Sequence, residues 1–124
     1  MNVEDSKLSL TDLLLQTIIE KDIDAAVSKY YELKNGDASG YNFKENQLND
    51  LGYQLLQLGK NKEAVEILKL NVEAYPNSSN VYDSLGEAYM VNGNKQLAIE
   101  NYKKSLELDP TNSNAKKTIE KLQK

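Results

Sequence analysis

The chain has 124 residues, of which 40% are hydrophobic and 27% charged, a composition typical of one globular domain. It contains no cysteine and no histidine, which removes disulfides, cysteine nucleophiles, histidine-based triads and the usual protein ligands of zinc. Nineteen acidic residues against fifteen lysines give a net charge of −4, which disfavours a nucleic-acid partner because phosphate binding needs a basic surface.

The N-terminal part, residues 1–44, predicts a loosely patterned helical pair followed by a loop. Apolar residues at helical spacing predict helices near Leu8–Glu20 and Ile23–Lys34. The stretch 35–44 is rich in glycine, asparagine and serine, which are typical of turns. We therefore expect a degenerate first pair joined by a linker loop to the next part of the chain.

Residues 45–78 and 79–112 form two regular units, because a shift of 34 residues superimposes one on the other. The residues of the first unit that recur in the second are Asn46, Leu51, Gly52, Gly59, Ala64, Glu66, Lys69, Glu73 and Pro76. In each unit an apolar stripe at i, i+3 and i+7 begins the repeat and predicts an amphipathic helix. Each unit thus predicts a helix, a tight turn and a second helix.

Glycines and small residues at repeated positions predict how the two helices of a unit meet. Gly52 and Gly86 lie inside the first helices, where glycine costs about 1 kcal/mol relative to alanine. We expect close contact with the following helix to require them, with Ala64 and Ala98 as the residues that complete the contact. Gly59 and its equivalent Gly93 are predicted to end the first helices as left-handed caps.

The prolines and the last twelve residues predict where the repeats end. Pro76 and Pro110 are expected to stop the second helices. Residues 113–124 predict one more amphipathic helix, which would close the array with a polar and lysine-rich outer face. Ser113 and Lys116 match the S-x-x-K pattern of penicillin-recognising enzymes, but no companion motif accompanies them. We interpret Ser113 as a helix cap instead.

The period and the pattern of the second unit resemble the tetratricopeptide repeat family. That pattern is Tyr82-x2-Leu-Gly-x2-Tyr89, then Ala98-x3-Tyr102, then Pro110. The resemblance implies an all-α fold, a right-handed α-solenoid of antiparallel helix pairs with about seven helices. It also implies a protein-interaction module rather than an enzyme, with no catalytic residue, cofactor or metal.

A second resemblance extends over most of the chain, from about residue 25 to residue 124. The segments 41–56, 70–76 and 80–89 are similar to the helical C-terminal extension of bacterial serine hydrolases of the β-lactamase-like and α/β-hydrolase kinds. This resemblance implies an alternative function, an accessory tail packed in cis on a hydrolase domain. The length of the open reading frame that encodes the chain would distinguish the two functions.

Six polar residues on the first helices of the two regular units are the candidate binding residues. In tetratricopeptide solenoids these helices line the concave surface, and the repeat places there Asn46, Asn49, Tyr53, Asn80, Asp83 and Glu87. The alternative interpretation is a solvated face without a partner. If the surface binds, its acids favour a protein or peptide with basic residues. The carboxylate-clamp type of this family, which holds acidic tails, is disfavoured because Tyr53 stands where that type has asparagine.

The sequence gives two further expectations about membranes and compartment. The longest apolar run is the three leucines at 13–15, and the N-terminus begins with acids. We therefore expect neither a membrane span nor a signal peptide. A complete chain would be cytoplasmic, whereas a fragment of a hydrolase would come from an exported protein, so the compartment is left open.

Overall fold

The computed structural model describes residues 8–36 and 40–124, and the parts of the predicted first unit at 1–7 and 37–39 lie outside the described residues. The described residues form seven α-helices and one isolated β-bridge. The helices are α1 (Leu10–Glu20), α2 (Ile23–Asn35), α3 (Glu45–Gln57), α4 (Asn61–Ala74), α5 (Ser79–Val91), α6 (Lys95–Leu108) and α7 (Ser113–Leu122). The prediction of an all-α fold with about seven helices is confirmed.

Consecutive helices pack in pairs, and the pairs stack in chain order. α1 packs on α2, α3 on α4 and α5 on α6, while α3 also contacts α1 and α5. α4 packs on α5, and α7 packs on α6. Because each helix contacts mainly its neighbours in the sequence, the architecture is the predicted solenoid. No helix within the described residues is both long enough and apolar enough to cross a membrane.

Helix α4 joins two halves of the hydrophobic core. Its buried residues Ile67 and Leu70 pack with apolar side chains of α1, α2 and α3. Val65 and Leu68, on the other side of the same helix, pack with apolar side chains of α5, α6 and α7. A helix that is buried on two sides carries apolar residues at most positions of its middle turns. Five of the seven residues from Ala64 to Leu70 in α4 are buried and apolar, which meets this requirement; Glu66 and Lys69 are exposed.

Both turns inside the regular pairs have the same backbone geometry. Gly59 has a φ of 76° and Gly93 a φ of 85°, values that glycine adopts without steric cost. In both turns the amide after the glycine donates to the carbonyl oxygen five residues earlier, at 2.8 Å. This is the hydrogen bond of a Schellman cap, which ends a helix at a left-handed residue. The prediction of left-handed caps at these two glycines is confirmed.

The interior glycines are in close contact with the following helix, but their partners differ from those expected. A Cβ atom built on Gly52 would lie 2.5 Å from a methyl group of Leu68, and one built on Gly86 would lie 3.1 Å from the ring of Tyr102. Ala64 is fully buried, but the side chain that lies against Gly52 belongs to the residue one turn later in α4. The prediction that alanines complete the contact is therefore wrong. Large side chains lie directly on the glycines.

Buried hydrogen bonds connect the end of each second helix to the start of the first. Asn71 Nδ2 of α4 donates to the carbonyl oxygen of Glu45 at 2.9 Å. At the equivalent positions of the next unit, Ser79 Oγ donates to the carbonyl oxygen of Ser105 at 2.9 Å, and Ser105 Oγ donates to that of Ser79 at 2.8 Å. These bonds give hydrogen-bond partners to the amide nitrogen of Asn71 and the hydroxyl of Ser105, two side chains that are buried. The two regular pairs, α3–α4 and α5–α6, are thus fixed at their open ends by polar contacts.

The first pair is fixed by contacts that its weak repeat pattern does not predict. Leu8 and Tyr41 form a parallel bridge, in which the amide of Leu8 donates to the carbonyl oxygen of Gly40 at 2.9 Å. The buried Thr11 donates its hydroxyl hydrogen to the carbonyl oxygen of Gln47 at 2.7 Å. These bonds attach the start of α1 both to the chain that precedes α3 and to α3 itself.

Helix α7 packs on α6 after the second regular pair, and its cap is one residue earlier than expected. Asn112 Oδ1 accepts a hydrogen bond from the amide of Ala115 at 3.1 Å, so Asn112 is the N-cap and Ser113 is the first helical residue. Ala115 and Ile119 are buried against the core, whereas Lys116 is exposed. The interpretation of Ser113 as the cap is wrong because the asparagine before it supplies the acceptor.

We expect Gly52→Ala to lower the free energy of unfolding by up to about 2 kcal/mol, which is the overpacking cost of about 1–3 kcal/mol less the gain in helix propensity. The added methyl group would overlap the side chain of Leu68. The gain in helix propensity, about 1 kcal/mol, offsets only part of this cost. Urea denaturation of the purified protein measures the change.

The control is the same substitution in a Leu68→Ala background. There the space beside residue 52 is vacant, so Gly52→Ala should raise stability through helix propensity alone. Destabilisation of similar size in both backgrounds would show that Leu68 is not the group that requires the glycine.

Candidate functional site

The six predicted binding residues lie on α3 and α5, two helices that pack side by side. We call this set, together with the side chains that contact it, the α3–α5 surface. Four of the six are half-buried, and they lie in the middle turns of their helices. The four are Asn49, Tyr53, Asp83 and Glu87. Asn46 and Asn80 are exposed, and they lie near the N-terminal ends of the two helices.

A buried serine links the two helices at the centre of the surface. Ser84 of α5 is 1% exposed. Its hydroxyl donates to Asn49 Oδ1 at 2.5 Å and accepts a hydrogen bond from the hydroxyl of Tyr53 at 3.4 Å. Ser84 is not among the residues predicted from the repeat register. The available signal was its position on the apolar stripe of α5, between Val81 and Ala88, where a hydroxyl needs a polar partner from the neighbouring helix.

The acids of α5 lie close enough to the tyrosines to change their ionisation. Burial is the largest cause that raises the pKa of Tyr53 to about 12; the contact with Ser84 opposes it, and the nearby negative charges of Glu87 and Asp83 add to it. Burial first, then the charges of the same two acids, also raises the pKa of Tyr102. Tyr53, Asp83 and Glu87 are therefore together, as the repeat register predicts, and the acids make the local potential negative.

Asp83 has a structural contact that the sequence analysis did not foresee. It is half-buried, and its Oδ2 accepts a hydrogen bond from Asn112 Nδ2 at 2.8 Å. The same amide group donates to Ser105 Oγ at 2.9 Å. Because Asn112 also caps α7, Asp83 connects the α3–α5 surface to the closing helix.

The outer residues of the surface contribute exposed amides. Asn80 Nδ2 donates to a carboxylate oxygen of Glu45 at 3.4 Å, a long contact between exposed groups. Asn46 is exposed one turn before Asn49 on the same helix. Amides of this kind can both donate to and accept from a peptide backbone.

The chemistry available on the α3–α5 surface is hydrogen bonding and attraction of cations. Residues 8–36 and 40–124 contain no group of three or more acidic side chains that could hold a metal ion. Asp83 accepts a hydrogen bond from Asn112, and Glu87 is half-buried one turn later on α5. Carboxylates that are held in this way provide fixed negative charge for a ligand.

We expect stability to fall as the pH rises from 10 towards about 12, and Tyr53→Phe to reduce that fall. In the folded protein the pKa of Tyr53 is raised from 10.0 to about 12. In this interval the unfolded chain loses the phenolic proton while the folded chain keeps it, so deprotonation favours unfolding. The contribution of the raised Tyr53 pKa to the free energy of unfolding is therefore fully present below pH 10 and is lost as the pH rises towards 12.

Urea midpoints measured between pH 9 and pH 11 for both proteins test this expectation. Lysine deprotonation affects wild type and variant alike, so the difference between the two curves isolates Tyr53. Parallel curves would contradict the expected effect of burial and of Glu87 on this hydroxyl.

Comparison with known proteins gives one family match and many structural matches. The tetratricopeptide repeat model matches residues 84–112, which make up most of the second regular unit. Comparison with curated proteins gives no match. The resemblance to hydrolase extensions is not tested by these findings and stays a prediction.

Solved structures with a similar fold include two domains of nearly the same length as this chain. The first such domain of Spaghetti (RPAP3), bound to HSP90 peptide SRMEEVD, is 19% identical over 95% of this chain and 94% of that chain, with a TM-score of 0.63. The N-terminal domain of stress-induced protein-1 from C. elegans is 19% identical, with complete coverage of both chains and a TM-score of 0.63.

A third match is longer than this chain. MamA from Desulfovibrio magneticus RS-1 is 23% identical over 91% of this chain but only 62% of that chain, with a TM-score of 0.61. At these identities the likeness concerns the fold alone. The fold is that of tetratricopeptide solenoid domains, and residues 84–112 carry the sequence pattern of the repeat.

Proposed function

We propose that the chain is a non-catalytic protein-interaction module, and that its α3–α5 surface binds a peptide or protein segment with lysine or arginine residues. The observation that carries the proposal is the placement of Asp83 and Glu87 beside Tyr53 on adjacent helices, where both acids act on the tyrosine hydroxyl. Such a surface offers charge to a cation and hydrogen bonds to a backbone.

Similarity of fold supports the general form of the interaction. The first tetratricopeptide domain of Spaghetti, which matches nearly the whole chain, is bound to a peptide. That peptide, SRMEEVD, contains three acidic residues and one arginine. On the present chain, Asp83 and Glu87 would repel carboxylates, since like charges in partly buried positions are unfavourable. We therefore propose an extended ligand of the opposite charge.

Each part of the α3–α5 surface has a distinct role in this proposal. Asn49 accepts from Ser84, which leaves its amide hydrogens for a ligand carbonyl. Glu87 is half-buried and carries the negative charge that faces a ligand cation. Asp83 is held by Asn112 through Oδ2, so it adds charge and also maintains the attachment of α7. Specificity would come from two cationic side chains of the ligand, because their spacing must match that of Asp83 and Glu87, which lie one turn apart on α5.

The alternative function is an accessory tail that packs in cis on a serine-hydrolase domain. The same surface would then contact a basic loop of that domain instead of a separate partner. The two functions differ in the length of the open reading frame, because a hydrolase tail requires a catalytic domain encoded upstream.

The test uses Glu87→Gln, because changing Asp83 would also remove the acceptor for Asn112. The probe is a fluorescent capped peptide of alternating lysine and serine, compared with SRMEEVD. We expect wild type to prefer the lysine peptide and to bind it less tightly as salt rises. Glu87→Gln should weaken binding about twofold to fivefold, the value of an exposed ion pair.

The matched control is Glu100→Gln, which changes the net charge equally at an exposed position of α6. It should leave the affinity unchanged. Equal losses for the two variants would mean that only net charge attracts the peptide. A preference for SRMEEVD would refute the proposed ligand charge.

A further inference from the structure

A groove on a different part of the molecule combines an apolar floor with a basic rim. It lies between α4 and the turn that joins α5 to α6, has a volume of about 370 Å³ and also reaches the start of α2. Its apolar lining is Ile23, Val65, Tyr89 and Leu97. Lys62 and Lys69 stand on α4 at its edge. We call it the α4–α6 groove.

Leu97 is the unusual residue of this groove. It is 38% exposed, although Val65 and Tyr89 beside it are 6% and 9% exposed. The equivalent position of the preceding unit, 34 residues earlier, is Glu63. The fold therefore accepts a charged side chain at this position, so packing does not require the leucine. Leu97 and the apolar floor beside it therefore offer a partly exposed apolar contact that the fold itself does not use.

The rim of the groove is positive. Lys69 pairs with Glu66 at 3.8 Å, with both side chains about half exposed. Among residues 8–36 and 40–124, Lys62 makes no ion pair within 4.0 Å. Two lysines and one glutamate line the groove, so its charge is opposite to that of the α3–α5 surface. Charge of this sign attracts carboxylates.

We propose that the α4–α6 groove docks a short acidic segment of a partner protein through one large apolar side chain. The apolar side chain contacts Leu97, Val65 and Tyr89, and flanking carboxylates contact Lys62 and Lys69. The volume is near the lower end for ligand sites, which suits one or two side chains of a segment. This surface does not depend on the α3–α5 surface, so the two proposals can fail separately.

The experiment follows backbone amide shifts of the labelled protein during titration with the capped peptide Glu-Glu-Leu-Glu-Glu. We expect the largest shift changes at Val65, Asn92 and Leu97. The glutamine analogue, Gln-Gln-Leu-Gln-Gln, should bind at least threefold more weakly at low salt. Leu97→Glu should weaken binding at least tenfold, since it removes the apolar contact and adds repulsion. Lys62→Glu should also weaken binding of the Glu-Glu-Leu-Glu-Glu peptide, although Leu97 is unchanged in this variant.

Lys116→Glu is the control for charge, because it makes the same change on an exposed face of α7. It should leave the affinity unchanged, and the amide spectrum verifies that each variant is folded. Equal affinity for the two peptides, unchanged binding by Leu97→Glu, or shift changes centred on Glu87 would overturn the proposal. Shift changes at the groove that grow with protein concentration alone would identify a second copy as the occupant and would also overturn it.

Discussion

The approach of two helices at a glycine determines the shape of each regular pair. A leucine lies on Gly52 and a tyrosine ring on Gly86, at distances that leave little or no room for a Cβ atom. Because both contacts lie inside a pair, they fix how α4 meets α3 and how α6 meets α5. The bonds between helix ends, such as that from Asn71 to Glu45, form only when the helices meet at this separation. The side-by-side placement of α3 and α5, and hence the α3–α5 surface, depends on the same geometry.

Local features of the fold could be predicted from the sequence because their causes are local. The left-handed turns require glycine at 59 and 93, and the hydrogen bonds that define them lie within six residues. The partners of the interior glycines could not be predicted, because either a small residue or a large side chain can fill the space above a glycine. Which of the two lies on the glycine depends on how far one helix is shifted along its axis relative to the other. The anchoring of the first pair, through Leu8 and Thr11, likewise arises from tertiary contacts without a sequence pattern.

The repeat register was sufficient to bring the central residues of the candidate site together, because equivalent positions of stacked repeats face the same way. The register was insufficient to predict the hydrogen bonds that these residues form. Ser84 is a polar residue on a stripe otherwise apolar, and its role depends on the position of Asn49 in another helix. The contact of Asp83 with Asn112 joins residues that are 29 apart in the sequence. The register therefore predicted which residues share a surface, whereas their partners, and the opposite charge of the α4–α6 groove, required coordinates.

The hydrogen bond from Asn112 to Asp83 links two parts of the molecule thermodynamically. The amide holds a carboxylate of the α3–α5 surface while the carbonyl oxygen of the same side chain caps α7. A ligand that binds Asp83 more strongly when this bond is broken must lower the free energy needed to release α7. By reciprocity, loosening α7 must strengthen the binding of that ligand by the same factor. A ligand indifferent to the bond would leave the closing helix unaffected, so hydrogen exchange in α7 can report on how Asp83 is engaged.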